Sequence, residues 1–231
     1  QTMTSEAVAY DKNALPRWEE VLRKVILVVA RLTLAILFFT QLWWKMPPTF
    51  GCPADYAFTT STVENGRLRL QRTSGLCDWI GIEQVYSTQP RPLIVANLDN
   101  TGDPEISINI APIARLNGIF LEKVIQPTIQ FSGWLLWLAE AAIFVLLLLG
   151  LFSRLGALIA VGVSAQLLIG LSGIPNPYEW EWAYNTIFVL ALVLFAFAPG
   201  RVFGIDTLLR PRFLAMKARG SFIGRVLSWL T

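Results

Sequence analysis

The stretch from Phe131 to Gly173, FSGWLLWLAEAAIFVLLLLGLFSRLGALIAVGVSAQLLIGLSG, holds two apolar runs separated only by Gly150-Leu151-Phe152-Ser153-Arg154. At a helical rise of about 1.5 Å per residue, each run of about 20 residues is long enough to cross a hydrocarbon core about 30 Å thick. The stretch therefore predicts a transmembrane hairpin. Glu140 and Gln166 are the polar residues deep inside it. Polar groups at bilayer depth are costly enough that each demands a partner, which makes these two the first functional candidates.

The rest of the chain agrees with a membrane protein. Of its 231 residues 54% are hydrophobic and 15% charged, and the apolar residues come in long blocks. The net charge of +3 is no sign of nucleic acid, because the basic residues sit where membrane topology would put them. With no histidine and only Cys52 and Cys77, the chain by itself excludes a histidine-ligated haem, a three-histidine zinc site and a four-cysteine iron–sulfur cluster. No metal site is expected, and any redox metal belongs to a partner.

Taken in order, residues 1–24 read as a polar cytoplasmic segment in which Pro16-Arg17-Trp18-Glu19-Glu20 begins an interfacial helix. The apolar run behind it starts too late, is too long and lacks the small-residue cleavage site of a signal peptide. Residues 25–45 form a first span, stopped by Pro47-Pro48. Residues 46–128 are too long and polar for a membrane connection and read as a β-rich insert. Glu64-Asn65-Gly66-Arg67 predicts a tight hairpin turn before an alternating strand. Pro92 to Leu98 and Glu105 to Ile110 predict a second hairpin around Asp99-Asn100-Thr101-Gly102-Asp103, and residues 117–130 an amphipathic helix broken at Pro127.

Residues 129–151 and 155–172 are the second and third spans, and 180–198 the fourth, after the turn Gly173 to Glu179. Residues 199–231 form a basic tail whose SFIGRVLSWL suits a helix lying on the membrane. The expected fold is thus an all-α integral membrane protein, a four-transmembrane-helix bundle with an extracytoplasmic β-rich insert between helices 1 and 2. Lysine and arginine fall before the first span, at Arg154 and in the tail, with none between spans three and four, and the six in the long insert weigh little in this rule. That asymmetry predicts both termini on the cytoplasmic side of a bacterial or archaeal inner membrane. Cys52 and Cys77 then lie outside, where a disulfide is stable. It would close a loop of about 25 residues and contribute about 3 kcal/mol in the chain-entropy picture.

Helix rise sets which buried polar groups can meet. Glu140 and Gln166 both fall about 16 Å from the cytoplasmic ends of their helices and Arg31 about 9 Å, while Gln41, Tyr184 and Asn185 fall at about 20 to 25 Å. Arg31 is the basic residue nearest in level to Glu140 and is the expected partner of its carboxylate. Arg31, Gln41 and Lys45 share one stripe of the first helix, and Glu181, Tyr184 and Asn185 one face of the fourth. One reading is a quinone head-group and proton site, with Glu140 as proton group and Gln41, Gln166, Tyr184 and Asn185 touching the ring. The other is that Arg31, Glu140 and Gln166 only hold helices together. Gly162, Gln166 and Gly170 recur at the spacing of close helix packing. Arg67, Arg69 and Arg72 offer either an anion site or a solvated strand face.

The Arg31-Leu32 start and Lys45 end of the first helix, the glutamate-bearing second helix with its turn LLLLGLFSRLGAL, and the phrase Ala198-Pro199-Gly200-Arg201-Val202-Phe203-Gly204-Ile205-Asp206 resemble the DoxX/DoxD group of four-helix membrane proteins. That group includes the small membrane subunit of thiosulfate:quinone oxidoreductase. The resemblance implies a membrane subunit of a quinone-linked redox complex, with quinone as its cofactor, none covalently bound, and thiosulfate as electron source. The competing class is a non-catalytic accessory subunit that anchors a larger assembly. In either case the partners are lipids and other membrane or extracytoplasmic subunits docked through residues 49–114, and not nucleic acid.

The topology is open to direct test. In intact cells a membrane-impermeant thiol reagent should label Cys52 and Cys77 only after mild reduction. Labelling without reduction would exclude the bridge, and labelling only after lysis would invert the orientation.

Overall fold

The computed structural model describes residues 16–64, 67–96, 106–174 and 181–231. The Asn65-Gly66 turn, the turn around Asp99 to Asp103, residues 1–15 and the stretch 175–180 lie outside them.

Helix α1 (Arg17–Leu42) begins directly after Pro16, with Glu19 and Glu20 in its first turn, where acidic side chains complement the positive end of the helix dipole. The interfacial start and the first span are therefore one continuous helix. It tightens into a 3-10 turn at Trp43–Lys45 before the two prolines end it. The three stretches Arg17–Lys45, Ala111–Leu149 and Ser153–Leu171 are long and apolar enough to cross a membrane, whereas the apolar Ala183–Phe197 is shorter.

The segment after α1 is mixed rather than β-rich. Strands β1 (Thr60–Glu64) and β2 (Arg67–Gln71) pair antiparallel with Glu64 opposite Arg67, as an Asn-Gly hairpin requires. Strands β3 (Pro92–Ala96) and β4 (Ile106–Asn109) form a second antiparallel pair. Between the hairpins lies a helix the sequence reading missed, α2 (Gly75–Tyr86), with Leu76, Cys77, Ile80, Ile82 and Tyr86 buried. It is covered from several sides, with Leu68 and Leu70 of β2 among its neighbours, so its sequence carries no one-sided apolar period. Cys52 and Cys77 are joined, tying the chain after α1 to α2. The segment then enters α3 (Ala111–Phe120), a wide π turn (Leu121–Ile125) and a 3-10 turn (Gln126–Thr128) containing Pro127.

Four helices share the main apolar core: α1, α4 (Ile129–Leu149), α5 (Ser153–Leu171) and α6 (Glu181–Phe197). Leu34, Ala35 and Phe38 meet Ile143, Leu147, Ala157, Ala160, Ala191 and Leu194 there. Short α7 (Gly200–Phe203), α8 (Ile205–Ala218) and α9 (Phe222–Leu230) follow. Gly224 of α9 lies against α8, where a Cβ would come within 2.5 Å of the Lys217 nitrogen, while Phe222, Ile223 and Trp229 are exposed.

A polar latch closes the end of the bundle that holds the α4–α5 turn. Gly150 ends α4 in the left-handed conformation, the usual glycine stop. Fully buried Asp206 accepts from the Phe152 N–H at 2.7 Å and the Ser153 N–H at 2.9 Å, satisfying donors at the start of α5 that no helical carbonyl can reach. Arg31 donates to Phe203 O at 2.8 Å. A Cβ on Gly150 would come within 2.3 Å of the Arg31 Nη1, so the guanidinium requires glycine there. Asp206→Ala should lower stability by about 3 kcal/mol, through the lost cap and the stranded N–H groups. Asp206→Asn, which keeps one acceptor, should recover part of the loss in thermal unfolding in detergent.

Candidate functional site

A cavity of about 620 Å³ occupies the other end of the bundle, roofed by the segment between α1 and α4. Its walls are Leu37, Phe38, Gln41, Trp44 and Lys45 from α1 and its terminal turn; Ser132, Leu136 and Glu140 from α4; and Gly162, Val163, Gln166 and Leu167 from α5. Tyr184 and Ile187 come from α6. The roof is Leu76, Trp79, Ile80 and Glu83 of α2, with Phe120, Leu121 and Ile125 beside it. Its size and largely apolar lining with a few converging polar groups suit a small organic ligand.

Glu140 is only 3% exposed and pairs with Lys45, itself buried. Glu140 Oε1 accepts from the Lys45 ammonium, and Oε2 is a buried oxygen with no hydrogen-bond partner among the described residues. The expected pairing of Glu140 with Arg31 does not form, because Arg31 serves the latch at the opposite end. Rise along ideal helices put Arg31 nearest in level. The 3-10 turn at Trp43 instead swings Lys45 back into the bundle.

A second carboxylate, which the sequence reading did not single out, lies in the roof. Glu83 Oε2 accepts from Gln166 Nε2 at 2.7 Å and from Asn117 Nδ2 at 3.0 Å. Gly170 makes this approach possible, since a Cβ there would fall 2.1 Å from that oxygen. Burial pushes the Glu83 carboxyl up to about 7, against the opposing effects of the Asn117 and Gln166 hydrogen bonds and of Arg91. Arg91 is fully buried and donates to Ser172 O at 2.6 Å and Ile169 O at 3.2 Å. A cation at the carbonyl end of α5 is favoured by the helix dipole, and it fastens the roof to the bundle.

Of the sequence-predicted residues, Glu140, Gln41, Gln166 and Tyr184 thus line one cavity; Arg31 and Asn185 are not among its walls. Gln41 Oε1 accepts from the Trp44 indole at 3.0 Å, and Trp44 lies 5.8 Å from Trp79 between ring centres. The glycine spacing on α5 does not serve helix packing as expected. Gly170 faces Glu83, and a Cβ on Gly162 would meet nothing within 4 Å. In the strand, Arg69 pairs with Glu64 and Arg72 with Asp78, leaving these two arginines engaged by acids rather than poised for an anion.

Residues 108–227, just over half of the chain, match the family described as TQO small subunit DoxD. The chain belongs to the DoxD family. No curated protein and no solved structure matches it. The match takes in α4, α5 and α6, and with them Glu140, Gln166, Tyr184 and the latch aspartate Asp206 of this DoxD protein. Lys45 and Glu83, which complete its cavity, lie outside the matched stretch.

Glu83 supplies a pH test. Below about pH 4.5 the carboxyl is protonated in the folded and unfolded states alike, and its raised affinity for the proton favours the fold. That contribution, about 3 kcal/mol for a shift of this size, is lost as pH rises through about 7. Melting curves of wild type and Glu83→Gln should therefore diverge progressively across this window, with the wild type losing more stability as pH rises. Parallel curves would show that Glu83 titrates normally.

Proposed function

We propose that the cavity binds a quinone head group and that this chain is the membrane subunit of a quinone-linked oxidoreductase, with thiosulfate as the electron source oxidised in a partner subunit. One observation carries the reading: a single largely apolar cavity gathers two buried carboxylates, Glu140 and Glu83, with Lys45, Gln41, Gln166 and Tyr184. The family description, TQO small subunit DoxD, agrees with it.

A quinone, when bound, accepts two electrons and two protons. Toward that chemistry the chain offers an unpartnered carboxylate oxygen on Glu140, held beside the Lys45 ammonium, and in Glu83 a carboxyl that exchanges its proton near pH 7. A group titrating near the working pH is suited to proton transfer in either direction. The surrounding apolar wall excludes water and strengthens these electrostatic interactions.

In this reading the four helices of the bundle all span a cell membrane, N-terminus and C-terminus inside. The roof and its two hairpins lie outside, and residues 49–114 present a surface to partner subunits. The fully exposed strand β1 favours that role, because an open strand edge can accept another strand. The alternative, an accessory subunit that only anchors partners, predicts a cavity indifferent to quinone.

Removing one member of a buried ion pair strands the other, so Glu140→Gln is best studied both alone and with Lys45→Met. The double variant should fold and melt close to wild type. Its affinity for a soluble benzoquinone should fall by about tenfold or more, a loss equal to one or two good hydrogen bonds. Quenching of Trp44 and Trp79 fluorescence, both in the cavity wall, reports binding. A stable double variant with unchanged affinity would favour the accessory role.

A further inference from the structure

We infer that the cavity opens sideways into the lipid beside α5, and that the hydrocarbon tail of its ligand leaves through this opening over Gly162. The ligand class is then a membrane-dissolved amphiphile with a polar ring and one long tail, an inference that rests on the quinone reading above.

The opening is marked by which wall residues face outward. Most of the cavity lining is buried or half-buried, but Phe120, 49% exposed, and Gly162 are exposed. Gly162 stands inside α5, where glycine costs about 1 kcal/mol relative to alanine. A Cβ there would meet no atom within 4 Å, so no neighbouring helix explains the glycine. It shares its face with Leu158 one turn earlier, which is also exposed. Ser132 and Leu136, one turn apart on α4, line the same cavity nearer the roof. Ser132 spends its hydroxyl on Ile125 O and Thr128 O, which leaves the rim apolar.

Above the gap, Phe120 leads into the π turn Leu121–Ile125. Such turns widen a helix locally and cluster at functional sites. Leu121 and Ile125 of this turn both line the cavity. Gly162 lies nine residues into α5, about 14 Å along the helix, so the opening falls near the middle of a hydrocarbon core about 30 Å thick. An apolar rim at that depth meets acyl chains rather than water. Inside, the carboxylates and amides take the ring, while the space over Gly162, where a Cβ would meet no atom within 4 Å, is left for the chain.

The test uses the full chain in mild detergent and two probes, a tailless dimethoxy-methyl-benzoquinone and the same ring carrying a ten-carbon tail. Taking the ratio of the two affinities for each variant relative to wild type cancels partition into the micelle. The wild type should bind the tailed ring at least about tenfold tighter, because the opening buries several methylenes. Gly162→Phe should reduce affinity for the tailed ring about tenfold more than affinity for the tailless ring. Should Gly162→Phe fail to fold, the smaller Gly162→Leu should produce the same selective loss in lesser degree. Equal weakening of both probes, or no weakening of either, would overturn the opening. A wild type that binds neither ring would overturn the quinone reading, whereas one that binds both without tail preference would overturn the opening alone.

Discussion

Two opposite charges sit between α1 and α4 in a bundle otherwise filled by leucine, alanine and phenylalanine, and neither Lys45 nor Glu140 could stay there without the other. Moving an ion out of water costs several kcal/mol even after the protein relaxes, and mutual attraction offsets it only at close approach. That requirement draws the end of α1 inward through a 3-10 turn. It brings Trp44 against Trp79 of α2 and holds the roof over the space below. The pair uses one oxygen of Glu140 and leaves the other with no hydrogen-bond partner among the described residues, so the cavity wall holds a polar atom whose bonding capacity is unspent.

The two ends of the bundle divide the work. At the α4–α5 turn, Asp206 accepts from the Phe152 and Ser153 N–H groups, Ser153 from the Gly200 N–H, and Arg31 donates to Phe203 O. Backbone groups approach so closely there that a Cβ on Gly204 would fall within 2.8 Å of the Gly150 Cα. Such an end is closely packed. The Gly200-to-Asp206 phrase that carried the family resemblance therefore belongs to the architecture, since its aspartate caps α5 and touches nothing in the cavity. At the other end the helices part, and the space between them is covered by the inserted segment instead of by more helix.

That segment is fastened by polar contacts of unusual depth. Arg91 holds the last carbonyls of α5, Glu83 takes a hydrogen bond from Gln166, and Gly118 leaves room for Ser87, whose hydroxyl a Cβ would approach to 2.2 Å. Each contact joins the roof to the helices that form the cavity wall or to the stretch leading into α4. A change in the protonation of Glu83 thus acts on the roof, the wall and the ligand space at once.

The sequence by itself determined the membrane character, the long helices and the first hairpin register, because hydrophobic block length, proline stops and an Asn-Gly pair act locally. It also singled out Glu140 and Gln166, since polar residues in an apolar run stand out against their neighbours. Helix α2 escaped it because a segment covered from several sides has no polar face to reveal its period, and Glu83 was hidden with it. The partner of Glu140 was decided only in three dimensions. Rise along a straight helix orders residues by depth, but it does not show that Arg31 is committed to the latch while the buried Lys45 ammonium reaches Glu140 from the far end of α1. The role of Gly162 was equally beyond the sequence, because glycine at a packing spacing and glycine at an opening are written with the same letter, and only the neighbours present or absent around its backbone tell them apart.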